Sequence, residues 1–170
     1  MKTLKITLFL AIVACLSGLS IGIVNSFTAP IIEQNALGAE KESLEMIFPG
    51  CDFALISFED NDGVIIGAYE AIETGFVYKA TAKGYNASNP IVVLIGMDYD
   101  GKIVNVIALE QQETKGVGTK CFDEENVKKL YIGKTIDQEI DGVAGATFTS
   151  DAMKLMIKKA QEAFGQLNRG

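Results

Sequence analysis

The sequence predicts an α+β chain, with a single N-terminal transmembrane helix followed by a small antiparallel-sheet domain with flanking helices. Three observations carry that expectation. Residues Ile6 to Val24 hold no charge. Short β-branched and aromatic runs, cut by Asp-Gly turns, fill the middle of the chain. A stripe of apolar residues at helical spacing lies near its end.

The apolar run comes first. A helix of about 19 residues spans roughly 28 Å, close to the hydrocarbon thickness of a bilayer. Lys2 and Lys5 precede it, and the next charges are Glu33 and Glu40. The positive-inside rule therefore puts the N-terminus in the cytoplasm and the body of the chain outside. A cleaved signal peptide has similar basic and apolar parts, but this run is long and no clear small-x-small site follows it. Ile12-Val13-Ala14-Cys15 loosely fits a lipid-attachment site, yet Leu16 to Val24 continues apolar where such a signal turns polar. An uncleaved span is the expectation. Gly18 and Gly22 make a small-xxx-small pair suited to helix packing, although chance placement explains it equally well.

Pro30 is expected to open a helix reaching about Phe48, with Ile31, Leu44 and Ile47 among its apolar positions, before Pro49-Gly50 stops it. Strands are expected at Phe53–Phe58 and Val64–Ala71, around Asp60-Asn61-Asp62-Gly63, and then at Phe76–Ala82. The clearest hairpin is Ile91–Met97 with Ile103–Leu109, turning at Asp98-Tyr99-Asp100-Gly101. Helices fit Asp123–Leu130 and Asp151–Phe164, the latter with Met153, Met156, Ile157, Ala160, Ala163 and Phe164 on one face. The expected organisation is an anchor over 1–25, a connecting helix over 26–50 and an extracytoplasmic domain over 51–170.

Composition narrows the function. The formal net charge is −7, and setting aside Lys2 and Lys5 leaves −9 on the rest. Such a surface is repelled by phosphate backbones, so no nucleic-acid partner is expected. There is no histidine, which removes the most common general base, the usual haem ligand and most zinc sites. Cys15, Cys51 and Cys121 form no CxxC, so no four-thiolate cluster and no metal site is expected. Cys51 and Cys121 can pair outside the cytoplasm, but two separate buried thiols are the favoured reading.

The segment richest in chemistry is Asp141-Gly-Val-Ala-Gly-Ala-Thr-Phe-Thr-Ser150. It is a small-residue turn feeding a helix expected to start near Asp151. Gly145 and Ala146 leave room for another group near the backbone. Thr149 and Ser150 would lie at the N-cap, where free amides and the helix dipole favour an anion such as phosphate. Three hydroxyls, on Thr147, Thr149 and Ser150, are candidates, and the spacing alone does not choose among them. An ordinary capped helix after a glycine turn satisfies the same residues.

Asp141-x-x-Ala144-Gly145-Ala146-Thr147-x-Thr149 resembles the flavinylation signature of FMN-binding domains, in which the final hydroxyl carries FMN through a phosphoester. By that resemblance the acceptor is Thr149, and a flavin transferase moves FMN from FAD while AMP leaves. The family usually has Ser or Thr where Ala144 stands. Upstream, Lys83-Gly84-Tyr85, the hairpin, and Glu113-Thr114-Lys115-Gly116-Val117-Gly118 are similar to the family's K-G-Y, its strand-rich core and its E-T-x-G-[LV]-G loop. Together these cover nearly the whole chain. They look most like the G subunits of Rnf ion-translocating ferredoxin:NAD oxidoreductases, while the related C subunits of sodium-pumping NADH:quinone reductases are typically longer.

The resemblance implies a membrane-anchored flavoprotein electron-transfer subunit, with other membrane subunits of an Rnf-type complex as partners. Its implied site comprises Asp141, Ala144, Gly145, Ala146, Thr147, Thr149 and Ser150, together with Tyr85, Glu113, Thr114, Gly116, Val117 and Gly118. Gly116-Val117-Gly118 would face the flavin ring, and Glu113 and Thr114 would bond its edge or the ribityl chain. Tyr85 or Phe148 would stack on the ring, unless either is simply core. No catalytic residue is expected, and the chain alone should turn over no substrate. A non-redox assembly module and a stand-alone flavin reductase are the competing readings.

Overall fold

The structure is a computed structural model that describes residues 2–58, 60–135 and 138–167. Two compact units divide the chain, Met1–Glu40 and Lys41–Gly170.

The first helix, α1, runs unbroken from Lys2 to Ile47. The span and the connecting helix, expected as two elements, are therefore one. A proline inside a helix removes one ladder bond and crowds the carbonyl of residue i−4, at about 3 kcal/mol, yet the helix continues through Pro30. The residues after it, such as Glu33, Gln34, Ala36 and Leu37, are good helix formers that continue the turn. The side chain of Ile31 lies outside the described residues. Within α1, Lys5–Ser26 is a 22-residue stretch of mean hydropathy 2.4. Its large side chains, among them Leu8, Phe9, Leu19 and Ile21, are exposed. That is the pattern of a single membrane-spanning or signal segment rather than of a core helix. Inside this apolar stretch, Ser20 donates its hydroxyl to Leu16 O at 2.8 Å, as a polar side chain in a helix does where water is scarce.

The second unit is α+β. Five strands, β1 (Phe53–Ile56), β2 (Ile65–Ala71), β3 (Gly75–Ala82), β4 (Ile91–Asp98) and β5 (Ile103–Glu110), form one antiparallel meander in the order β1-β2-β3-β4-β5. The β1–β2 and β4–β5 connections turn at the expected Asp-Gly sequences. Asp98 Oδ1, for example, accepts from the amides of Asp100 and Lys102 at 3.1 and 2.9 Å. A short 3₁₀ helix at Gly118–Phe122 leads into α2 (Glu124–Leu130), and α3 (Thr147–Leu167) closes the chain.

Both faces of the sheet are covered. On one face, Tyr78, Ile91, Val93, Ile95, Met97 and Ile103 join Met153, Met156, Ile157 and Ala160 of α3 in the larger core. All six residues of the expected α3 stripe are buried. On the other face, Val77 and Leu94 pack with Leu44, Ile47 and Phe48 from the end of α1. Leu94 and Ile95 are adjacent and both fully buried, so β4 is covered on both sides. Each such side chain contributes about 1.5–3 kcal/mol by leaving water.

One boundary matters for function. Helix α3 starts at Thr147, four residues before the expected Asp151. Thr149 and Ser150 therefore occupy its first turn rather than the N-cap. The turn that precedes it ends at Ala146, so helical geometry begins as soon as Gly145 has reversed the chain.

Candidate functional site

Three segments distant in sequence line a cavity of about 400 Å³. Tyr85, Glu113, Thr114, Val117 and Gly118 line one wall, and Gly145, Ala146, Thr147, Phe148 and Thr149 line the other.

Backbone builds the second wall. Gly145 has φ +83°, the left-handed region that side chains with a Cβ rarely adopt, and Ala146 N bonds Val143 O at 3.0 Å to close the turn. The first i→i−4 bond of α3 runs from Ser150 N to Ala146 O at 2.8 Å. The amides of Thr147, Phe148 and Thr149 therefore have no partner within the helix, and the dipole adds partial positive charge there. Among the described residues no Lys or Arg lines the cavity. The attraction for an anion comes from backbone alone.

Side chains build the first wall. Glu113 is 7% exposed, and its carboxylate joins three segments. Oε2 accepts from Tyr85 N at 3.2 Å and Oε1 from Asn86 N at 3.1 Å. Oε2 also accepts the Thr149 hydroxyl in a short hydrogen bond. Gln111 Oε1 in turn accepts from Glu113 N at 3.0 Å. Gly118 is the neighbour that makes this possible. A Cβ there would stand 2.7 Å from Glu113 Oε2 and 2.8 Å from Thr149 Oγ1. Two aromatic rings stand at the rim. Tyr85 and Phe148 are 69% and 66% exposed, with centroids 6.0 Å apart and planes tilted by 54°.

The three hydroxyls now differ. Thr147 is exposed. Ser150 is buried, accepts from Val143 N at 2.9 Å and lies 3.6 Å from the Cys121 sulfur. It ties the 141–146 loop to the helix and does not line the cavity. Thr149 alone of the three both lines the cavity and touches a carboxylate. Asp141, Ala144 and Gly116 lie on exposed loop and also do not line it, so the Ala144 departure falls outside the walls.

Sequence reasoning missed Asn86 and Gln111, which position Glu113 from both sides. Asn86 N reaches Glu113 from 27 residues away, which no local spacing signals, whereas Gln111 lies two residues before Glu113 and its side chain turns back on that backbone.

All three cysteines are free thiols. Cys121 is buried in the core beneath α3, and burial, ahead of its neighbours' effects, pushes its thiol up. Cys51 is half-buried on the opposite face of the sheet, 3.1 Å from Thr74 Oγ1. The two sit in separate clusters, with Cys121 buried as expected and Cys51 only half-buried.

Residues 84–162 match the family model described as an FMN-binding domain. The chain is 25% identical to the G subunit of the proton-translocating ferredoxin:NAD(+) oxidoreductase complex of Clostridium ljungdahlii, over 92% of this chain and 89% of the relative. It is 29% identical to the G subunit of the ion-translocating oxidoreductase complex of Photorhabdus laumondii, over 88% of this chain and 84% of that protein.

Proposed function

For a chain homologous to the G subunits of Rnf-type complexes and matching an FMN-binding domain, we propose a role as the membrane-associated, FMN-binding electron-transfer subunit of such a complex. We assign the flavin to a phosphoester on Thr149 Oγ1. The observation that carries this reading is the meeting of the Thr149 hydroxyl, the first-turn amides of α3 and the aromatic rim in one cavity.

The residues fit such a group. Amides 147–149 would hold a phosphate at the helix start without a cation. The exposed faces of Tyr85 and Phe148 suit a flat ring, and large aromatic side chains left two-thirds exposed otherwise forgo burial. Val117 and Gly118 present an apolar surface and close backbone on the facing wall. When bound, FMN supplies one- and two-electron redox chemistry, and the protein contributes attachment, orientation and electrostatics. Covalent attachment suits a domain outside the cytoplasm, where a free cofactor would be diluted. The lysines before the span favour that orientation, with the N-terminus inside. Partners would be the other membrane subunits, and a flavin transferase would mature the chain.

The test is the intact mass of the full chain co-expressed with a flavin transferase. The expected shift is one FMN less water, with fluorescence that survives denaturation. Thr149→Val should lose the adduct completely. An adduct that persists there and disappears on replacing Thr147 or Ser150 would assign the wrong hydroxyl. No adduct on the wild type would sink the covalent reading.

A further inference from the structure

The Thr149 hydroxyl is an ordinary alcohol, and an alcohol is a poor nucleophile until a base takes its proton. The chain has no histidine. Among the described residues, Glu113 is the only carboxylate that lines the cavity, and its Oε2 accepts a hydrogen bond from the Thr149 hydroxyl. Resting on the reading of Thr149 as the flavin acceptor, we infer that Glu113 is the proton acceptor for that esterification, so that the acceptor protein brings a catalytic base to its own modification.

The step balances without a redox partner. Thr149 Oγ1 attacks the phosphorus of the flavin half of FAD. The Oγ1–P bond forms and the pyrophosphate P–O bond breaks, releasing AMP. The hydroxyl proton passes to Glu113 Oε2 and from there to water. The dinucleotide and the transferase that presents it are the co-reactants.

Three features of the site favour this role over a purely structural one. First, the carboxylate is aimed. Tyr85 N and Asn86 N hold it from one side, so the side chain cannot swing from the hydroxyl without breaking those two bonds, and Gln111 fixes the backbone that carries it. Second, the Gly118 position is left without a side chain where one would crowd both Glu113 Oε2 and Thr149 Oγ1. Third, the other two hydroxyls of the segment lack this partner. Thr147 is exposed, and Ser150 is committed to Val143 N and the Cys121 sulfur. The carboxylate thus supplies a chemical reason for one hydroxyl among three to react.

The experiment follows flavin incorporation into the full chain in detergent, with purified transferase and FAD, by intact mass against time and acceptor concentration. A wild type that gains no FMN, or gains it away from Thr149, defeats the Thr149 reading and the present inference with it. With the wild type modified at Thr149, Glu113→Gln is expected to lower the rate at saturating acceptor about 100-fold, the low end for loss of a general base. The half-saturating acceptor concentration should stay within about threefold, as the docking surface is intact. Glu113→Asp keeps a carboxylate one methylene short and should recover about tenfold over Gln while staying about tenfold below the wild type. A Gln variant within about threefold of the wild-type rate overturns the inference and leaves Thr149 as acceptor, with the base supplied by the transferase. A loss confined to the half-saturating concentration, or an Asp variant no better than Gln, assigns Glu113 a structural role and also overturns it. If Gln unfolds the chain, shown by loss of its cooperative melt, the Asp variant decides alone. Its carboxylate is one methylene short, so about a tenfold loss of saturated rate is expected and a wild-type rate overturns the inference.

Discussion

Asp60 and Glu113 both accept backbone amides, and they do so for different ends. Asp60 takes Val64 N at 2.8 Å, Ile65 N at 2.9 Å and Asp62 N at 3.3 Å, all within five residues of itself. Glu113 takes Tyr85 N and Asn86 N from 28 and 27 residues away, and the Thr149 hydroxyl from 36 residues away. The first closes a surface turn between β1 and β2. The second joins the walls of a cavity and spends one oxygen on a hydroxyl that the turn carboxylate lacks. The difference teaches that an acceptor of local amides closes its own turn, whereas one that also reaches a distant hydroxyl ties separate segments of the chain together.

The contrast breaks most severely at Gly118. A methyl there would stand 2.7 Å from Glu113 Oε2 and 2.8 Å from both Glu113 Cβ and Thr149 Oγ1. Glu113 is held by three donors and cannot give way cheaply. Gly118→Ala is therefore expected to cost about 2 kcal/mol and lower the melting temperature by several degrees. It should also slow flavin attachment to Thr149, because the hydroxyl and carboxylate are forced apart. Thermal unfolding and intact mass check the two effects together. A stable variant that is modified at the normal rate would mean the Glu113–Thr149 contact is incidental.

The same contrast explains what was legible in the sequence. Asp60-Asn61-Asp62-Gly63 and Asp98-Tyr99-Asp100-Gly101 name their own turns, because the groups that satisfy them are neighbours in the chain. The α3 stripe was readable because its period is local too. The continuous α1 was less so, since a local reading takes a proline as a helix boundary, whereas a long helix can bear its local cost. Most of the cavity lining followed from the resemblance, but not the way it is assembled. Nothing near Glu113 announces Asn86, and nothing near Ser150 announces that its hydroxyl faces Val143 N and Cys121 rather than the cavity. Those pairings depend on strand register and on where α3 begins.

Ser150 gives the next smaller effect and separates loop support from chemistry. Ser150→Ala leaves Val143 N without its acceptor at 2.9 Å in a half-buried position. The expected loss is about 1 kcal/mol of stability. Flavin should still attach at Thr149, since the cavity lining is unchanged. Complete loss of the adduct, with the fold intact by circular dichroism, would move Ser150 from the supporting loop into the reacting group.

Asp60 gives the smallest effect and supplies the local side of the comparison. Burial opposes its charge, yet the amides of Ile65, Asp62 and Val64, with Lys159 nearby, hold its carboxyl below the ordinary range. A carboxyl lowered on folding stabilises above its unfolded pKa, near 3.9, and loses that contribution as pH falls through the lower folded value. Asp60→Asn turns one acceptor into a donor that faces backbone N–H groups. At pH 7 it should cost about 0.5 kcal/mol, small because the turn is largely solvated. The gap between wild type and variant should narrow below about pH 4, as the wild-type carboxyl also becomes neutral. Urea unfolding at neutral and acid pH reads it directly, and flavin attachment should not change. If Asp60→Asn slowed attachment as Gly118→Ala is expected to, the distinction between a turn carboxylate and a site carboxylate would fail.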